Sequence, residues 1–216
     1  SVAGEGTGRL TRPRIVPHLT PGEPAMSSRT AQTSAPVLDA IAERWSPRSF
    51  DSDHSLPEGA LRSLFEAARW APSANNSQPW RFIITRRGSE SFARIESTLS
   101  GNNRLWAGRA AALVVNVAEA ADAEGTPRKF AEYDLGQAVA HLSVQAQSEG
   151  LHLHQMGGFD REAIRASFDL AERFVPVSIT AIGAIGSHDQ LTEPLREREA
   201  APRVRLPLED LVLVND

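Results

Sequence analysis

The run Ala111-Ala112-Leu113-Val114-Val115-Asn116-Val117 restricts the fold more than any other stretch of the chain. A strand that is apolar at nearly every position, rather than at alternate ones, has to be covered on both faces. Two further runs have strand character, Trp80 to Thr85 and Val177 to Gly186, and Leu151 to Gln155 is a shorter apolar-rich run. Helical periodicity fills the intervals. Val37, Ile41 and Trp45 predict a short helix. Leu61, Leu64, Phe65 and Ala68 share one face of a second helix, which Ser55 and Glu58 would open as a capping box and Pro72 would end. Phe92, Ile95 and Leu99 mark a third. A long helix is expected from near Arg128 to Glu149, closed by Gly150, and Asp160 caps another through Ala163 and Ile164. Helices alternating with strands, without a glycine-rich dinucleotide fingerprint, point to an α/β or α+β layer fold rather than a Rossmann domain.

The chain's 216 residues, 41% hydrophobic and 23% charged, suffice for one substantial core. Residues 1–35 are rich in Gly, Ser, Thr, Pro and Arg and read as a flexible leader, with the domain proper at 36–216. Met26 is a candidate natural start. A net charge of -4 argues against nonspecific attachment to nucleic acid or a bilayer, so an anionic ligand would need a local basic site. No apolar run approaches the length of a membrane span, and the first residues lack the apolar centre of a signal peptide; a cytoplasmic location is expected. The chain has no cysteine, which rules out disulfides, thiolate metal sites and cysteine nucleophiles. His152 and His154 fall on one side of a strand without acidic partners at ligand spacing, and no metal site is expected.

Two segments carry ligand-binding character. In Arg44-Trp45-Ser46-Pro47-Arg48, Pro47 biases the preceding residue to extended backbone, where alternate side chains share a face. Arg44, Ser46 and Arg48 then point one way and Trp45 and Pro47 the other. Two guanidinium groups flanking a hydroxyl suit a phosphate, although a solvated basic turn has the same composition. The second segment, Ala71-Pro72-Ser73-Ala74-Asn75-Asn76-Ser77-Gln78-Pro79-Trp80, concentrates short amides and hydroxyls between a helix and a strand. It reads either as an ordinary loop or as a ligand loop for a planar polar molecule. Far downstream, Arg203-Val204-Arg205 repeats the same-face arginine spacing.

Together these segments resemble the FMN-dependent nitroreductase family, over roughly Val37 to Val212. The resemblance rests on Arg44, Ser46 and Arg48, on Pro72, Ser73, Asn76, Gln78, Pro79 and Trp80, and on Arg203 and Arg205 ahead of Leu206-Pro207. It implies a three-layer α/β/α fold of the α+β class, with a central mixed sheet flanked by helices, in an intertwined homodimer. FMN is the implied cofactor and NADPH or NADH the co-substrate. Arg44, Ser46, Arg48, Arg203 and Arg205 would serve the phosphate and flavin edge. Pro72, Ser73 and Asn76 would face a flavin bound chiefly by the partner. Asn103, or Asn102 in an alternative register, would meet the pyrimidine edge. The backbone of Gly157 and Gly158 would lie beside flavin N5. The chemistry belongs to the flavin, so no catalytic side chain is assigned. Hydride would pass from NAD(P)H to a nitroaromatic, quinone or other small electrophile, with Phe130 and Tyr133 either shaping the acceptor pocket or packing. A flavin-binding protein that stores, delivers or degrades flavin is the alternative. Leu211 to Val214 would add a strand to the partner's sheet. Three positions depart from the family pattern: Trp106 stands where a lysine is frequent, Gly157 where Glu is frequent, and Ala74 where Ser is frequent.

Overall fold

The computed structural model describes residues 29–57 and 59–215. Its elements are α1 (Asp39–Glu43), α2 (Ala60–Arg69), β1 (Trp80–Arg86), α3 (Glu90–Thr98), β2 (Ala112–Glu119), α4 (Ala131–Ser148), β3 (His152–Met156), α5 (Arg161–Ser167), β4 (Phe174–Gly183), α6 (Glu193–Ala200) and α7 (Leu208–Leu211). The sheet order is β1-β2-β4-β3. β2 is buried along its whole length, as its composition requires, and its side chains feed two separate cores. Leu113, Val115 and Val117 pack with α3, α5, Phe50 and Trp106. Ala112, Val114 and Ala118 pack with α2 and α4. Each leucine or valine so enclosed contributes about 1.5–3 kcal/mol relative to exposure, so the sheet cannot shed either helical layer. The expected α/β/α layering follows from this one strand.

The sheet itself differs from expectation. Every pairing among the described residues is antiparallel, so no mixed sheet is formed among them. A mixed sheet needs a parallel neighbour on an edge, and the apolar tail after α7 pairs with none of the described strands. β4 begins at Phe174 rather than at Val177. It runs through Pro176, which has no N–H to donate, by means of a register shift opposite Asn116 and Val117.

The helix boundaries show a second correction. α2 starts at Ala60 rather than from a capping box at Ser55, and Glu58 lies outside the described residues. Gly59 occupies the N-cap position at φ 85° and no side chain caps the helix. Its left-handed turn redirects the chain between Ser55 and the first helical turn. The Ala60 N–H is instead taken by the Pro57 carbonyl at 3.1 Å. Asp160 caps α5 as expected, accepting from Ala163 N at 2.9 Å. Gly150, at φ 75°, ends the α4 region and turns the chain into β3.

Within the sheet, Asn116 is fully buried. Its Nδ2 donates to Ser178 Oγ at 3.0 Å and Thr180 Oγ1 at 2.7 Å across the β2–β4 pairing. The expected leader, residues 1–35, lies mostly outside the described residues, and Met26 with it. Residues 29–34 are described and touch both α1 and the segment after α6.

Candidate functional site

The arginine segment leaves α1 in extended backbone, with Arg44 at φ -63° and ψ 126°. The alternation read from the sequence is realised: Trp45 and Pro47 are buried, whereas Arg44, Ser46 and Arg48 are half-buried and face outward. Arg44 Nη1 lies 3.4 Å from Ser46 Oγ. Behind the segment stands β3. The Pro47 carbonyl accepts from His154 Nδ1 at 2.9 Å, which fixes the proton on that nitrogen, and the Trp45 ring meets His152 edge-on at 6.4 Å. Burial holds both histidines at about 4, so each is neutral at pH 7; Arg44 near His152 acts in the same direction. These are packed supports of the arginine segment. Among the described residues no group of three or more His, Asp or Glu is arranged to hold a metal.

Glu199, at the end of α6, was not singled out by sequence and is nearly inaccessible. It accepts from the Arg48 N–H at 2.9 Å, from the Ser49 N–H at 3.0 Å and from Ser49 Oγ at 2.7 Å, with Arg48 Nη1 at 3.6 Å. One buried carboxylate thereby fixes the arginine segment to the helix that leads to the second arginine pair. Beyond α6 the chain passes without regular structure through Arg203 and Arg205. Arg44, Arg203 and Arg205 line one pocket of about 600 Å³, together with residues 31–34, Leu206 and Glu209. Burial lowers the pKa of Arg44, and the charge of Arg205 lowers it further. Burial likewise lowers that of Arg203, followed by Arg44, Arg205 and Arg29. The direction records first the burial of these guanidinium groups and second the nearness of like charges.

The amide loop is built differently. Asn75, Asn76 and Gln78 all adopt left-handed backbone, at φ 53°, 55° and 46°. Such conformations cost energy outside glycine, and asparagine tolerates them best. The surrounding bonds impose them. Ser73 Oγ accepts from Gln78 N at 3.0 Å, and the buried Asp134 of α4 accepts from Ala74 N at 3.0 Å. Arg81 donates to the Gln78 and Trp80 carbonyls at 2.8 and 2.7 Å, and Arg128 to that of Ser77 at 2.6 Å. Those two guanidinium groups converge with Arg173 on buried Glu119, at 2.6, 3.6 and 3.5 Å. Pro72, Asn75, Asn76 and Gln78 remain exposed.

The third cluster joins Asn103 to the glycine turn. Asn103 Nδ2 donates to the Gly158 carbonyl at 3.2 Å, while Asn102 is exposed. Of the two registers, only that of Asn103 reaches the turn. A side chain at Gly158 would come within 3.0 Å of Asn103 Nδ2 and 3.2 Å of Ser100 Oγ, whereas one at Gly157 would meet nothing. Trp106 turns inward, stacked on Phe50 at 6.0 Å and tilted against His154 at 4.5 Å, with its indole N–H buried and unpartnered. Phe130 and Tyr133, at the start of α4, are both exposed. So are Leu211, Val212, Leu213 and Val214, with Leu213 95% accessible.

The fold thus brings Arg44, Arg203 and Arg205 together, and separately Asn103 and Gly158. Ser46 and Arg48 are tied to the first group through the backbone and Glu199. Pro72, Ser73 and Asn76 do not line the arginine pocket of the same chain, nor do Asn103, Gly157 and Gly158. Glu119, Asp134 and Glu199 are the supporting residues that sequence reasoning missed.

The family model for the nitroreductase family matches residues 41–103 and 88–184. The chain belongs to that family. A solved structure described as an oxidoreductase containing FMN is 34% identical, superimposes with a TM-score of 0.81, and shares 87% of this chain with 96% of its own. An NADH dehydrogenase of Thermus thermophilus is 29% identical across 84% of this chain and 98% of its own length. An oxygen-insensitive NAD(P)H nitroreductase of Salmonella typhimurium is 24% identical across 80% and 96%.

Proposed function

We propose that this chain is an FMN-dependent oxidoreductase that takes hydride from NADH or NADPH and delivers it to a nitroaromatic, quinone or other small electrophilic acceptor. The observation that carries the reading is the convergence of Arg44, Arg203 and Arg205, from opposite ends of the domain, on one pocket. Their planar donors suit a phosphate monoester, and an anion there would relieve the repulsion among them. The glycine turn is compatible with the same ligand, because a side chain at Gly157 would meet nothing and the backbone there is open to a planar ring, whereas the side-chain space at Gly158 is closed by Asn103 and Ser100. When bound, FMN supplies hydride acceptance and return at its N5 atom.

The chain's own residues bind and orient. Arg44, Arg203 and Arg205 would hold the phosphate, with Ser46 and Arg48 beside them on the segment fixed by Glu199. The Asn103 carboxamide, bonded to the Gly158 carbonyl, would serve the pyrimidine edge. The Gly157 and Gly158 backbone would lie beside the reacting end. The amide loop, with Pro72, Ser73 and Asn76, does not line the arginine pocket of its own chain, which supports a site shared between two protomers. In that homodimer the rigid loop of one chain faces the cofactor held by the other, and the exposed Leu211–Val214 tail finds cover. Phe130 and Tyr133, exposed in the single chain, border the acceptor space. A reaction fed by NAD(P)H suits a cytoplasmic location; among the described residues no helix is long and apolar enough to cross a membrane.

Anaerobic addition of NADH or NADPH to the flavin-loaded protein tests the proposal. Rapid bleaching, followed by reoxidation with a nitroaromatic or quinone, is expected. A flavin that stays oxidised points to storage or delivery instead, and a protein unable to take up FMN overturns both. Sedimentation of the loaded protein as a monomer would defeat the shared site.

A further inference from the structure

The cation pocket contains a structural problem that its arginines do not solve. Arg44 and Arg203 repel one another and Arg205, and residues 202–207 carry no helix or strand pairing to hold the second arginine pair in place. The chain from residue 29 to 34, ahead of the family-matched residues 41–184, crosses this gap. Ala31 N donates to the Ala42 carbonyl at 2.8 Å, anchoring it to α1. Arg203 Nη1 donates both to the Arg29 carbonyl and to that of Ala42, the latter at 2.6 Å. Arg29 Nη1 reaches the Ala201 carbonyl at 2.9 Å, and its guanidinium lies 4.3 Å from the centre of the Trp45 ring. A single residue therefore touches the inner face of the first arginine segment and the backbone leading to the second. Gln32, Thr33 and Ser34 continue along the pocket wall.

We propose that residues 29–34 form a clasp that pre-assembles the cation pocket for a phosphate monoester, with Arg29 as its positioning residue. This rests on the reading of the pocket as the FMN phosphate site. The clasp holds Arg44, Arg203 and Arg205 around one pocket before the anion arrives, so the ligand does not have to overcome their repulsion itself. Cation–π contact with Trp45 and the bond to Ala201 are each modest, but they act on opposite sides of the gap. Arg29 adds a fourth positive charge to the neighbourhood, and its role is distinct from charge alone because its guanidinium is spent on a ring and a carbonyl.

The test titrates the 216-residue chain and its Arg29→Ala and Arg29→Lys variants with FMN and with riboflavin, which has the same ring and no phosphate. The Ala variant is expected to bind FMN about tenfold more weakly, as when the assembled fraction of the pocket falls to about one tenth, with riboflavin affinity unchanged. The Lys variant should recover most of the loss, since an ammonium group can sit over Trp45 and donate to Ala201. Unchanged FMN affinity in Arg29→Ala overturns the clasp. So does an equal loss for both flavins, which would mark general loosening, or a Lys variant no better than Ala. A native chain that takes up no FMN removes the functional reading and the clasp together, whereas native binding with an unaffected Ala variant removes only the clasp.

Discussion

The amide loop and the arginine pocket are both polar, yet they sit at opposite ends of a trade between rigidity and affinity. The loop's key groups are already spoken for inside the chain: Ser73 holds Gln78, Asp134 holds Ala74, and Arg81 and Arg128 hold its carbonyls under the control of Glu119. Its three left-handed residues stay put because those bonds over-determine them. The arginine pocket is the reverse, with like charges brought together and, among the described residues, Glu209 the one acid on its wall. One region pairs its charges within the fold; in the other the arginines bond, among the described residues, only to carbonyls and a hydroxyl of the chain, so that their charge is left for a ligand. Charged residues of the same type, arginine, serve both ends, and what separates them is whether a buried carboxylate sits within reach.

The largest effect should appear on acidification. His152 and His154 are held at about 4 against an ordinary 6.5, so the unfolded chain takes up protons first as pH falls below 6.5. Their stabilising effect is full above that value and is lost between 6.5 and 4, up to about 3 kcal/mol for each. Denaturant midpoints at neutral and acid pH should show this slope reduced in a His152→Gln/His154→Gln double variant; an unaltered slope would dissociate the histidines from the arginine side. Next, Glu119→Ala should cost about 2–3 kcal/mol, less than for a fully enclosed pair because Arg81, Arg128 and Arg173 are partly solvated. A loss below 1 kcal/mol in urea unfolding would mean that the loop is not held as described. Arg205→Ala should have the opposite character. FMN binding weakens by about 1.5–3 kcal/mol while the ligand-free chain unfolds no more easily, because a repulsive neighbour of Arg44 and Arg203 has gone. Parallel losses in binding and in stability would erase the contrast between the two regions. The smallest effects concern the turn: Gly158→Ala should cost about 1 kcal/mol through contact with Asn103, and Gly157→Ala less than about 0.5 kcal/mol, by thermal unfolding.

How much was legible in advance depended on how local the cause was. The facing of Arg44, Ser46 and Arg48 follows from two-residue alternation and one proline, and it appears as read. The both-faces burial of β2 follows from its own composition. Glu119, Asp134 and Glu199 were invisible because a single carboxylate in a charged chain has no signature until the fold supplies its donors. Glu199 finds Ser49, and Asp134 finds Ala74, only through tertiary packing. The histidine pair was visible as a pair, but the contact that His154 makes depends on Pro47, which periodicity cannot place beside β3. The capping box failed for a local reason that composition conceals, since Gly59 at positive φ turns the chain before the helix begins. β4 likewise starts at Phe174, ahead of the expected Val177, because a bulge absorbs Pro176.

Asn116 has a consequence for how the chain finds its pairing. A slip of β2 against β4 by one residue would carry its carboxamide to the opposite core, and a slip by two would remove it from at least one of Ser178 and Thr180. Either error leaves a buried amide without its partners, a penalty of about 1–3 kcal/mol on top of lost packing. Because the strands meet only after α4, β3 and α5 have been traversed, the apolar residues on β2 could accept several near-misses during folding. The carboxamide acts as a checksum on that late closure: it reports, in a single side chain, whether the two halves of the sheet have been joined in the intended frame.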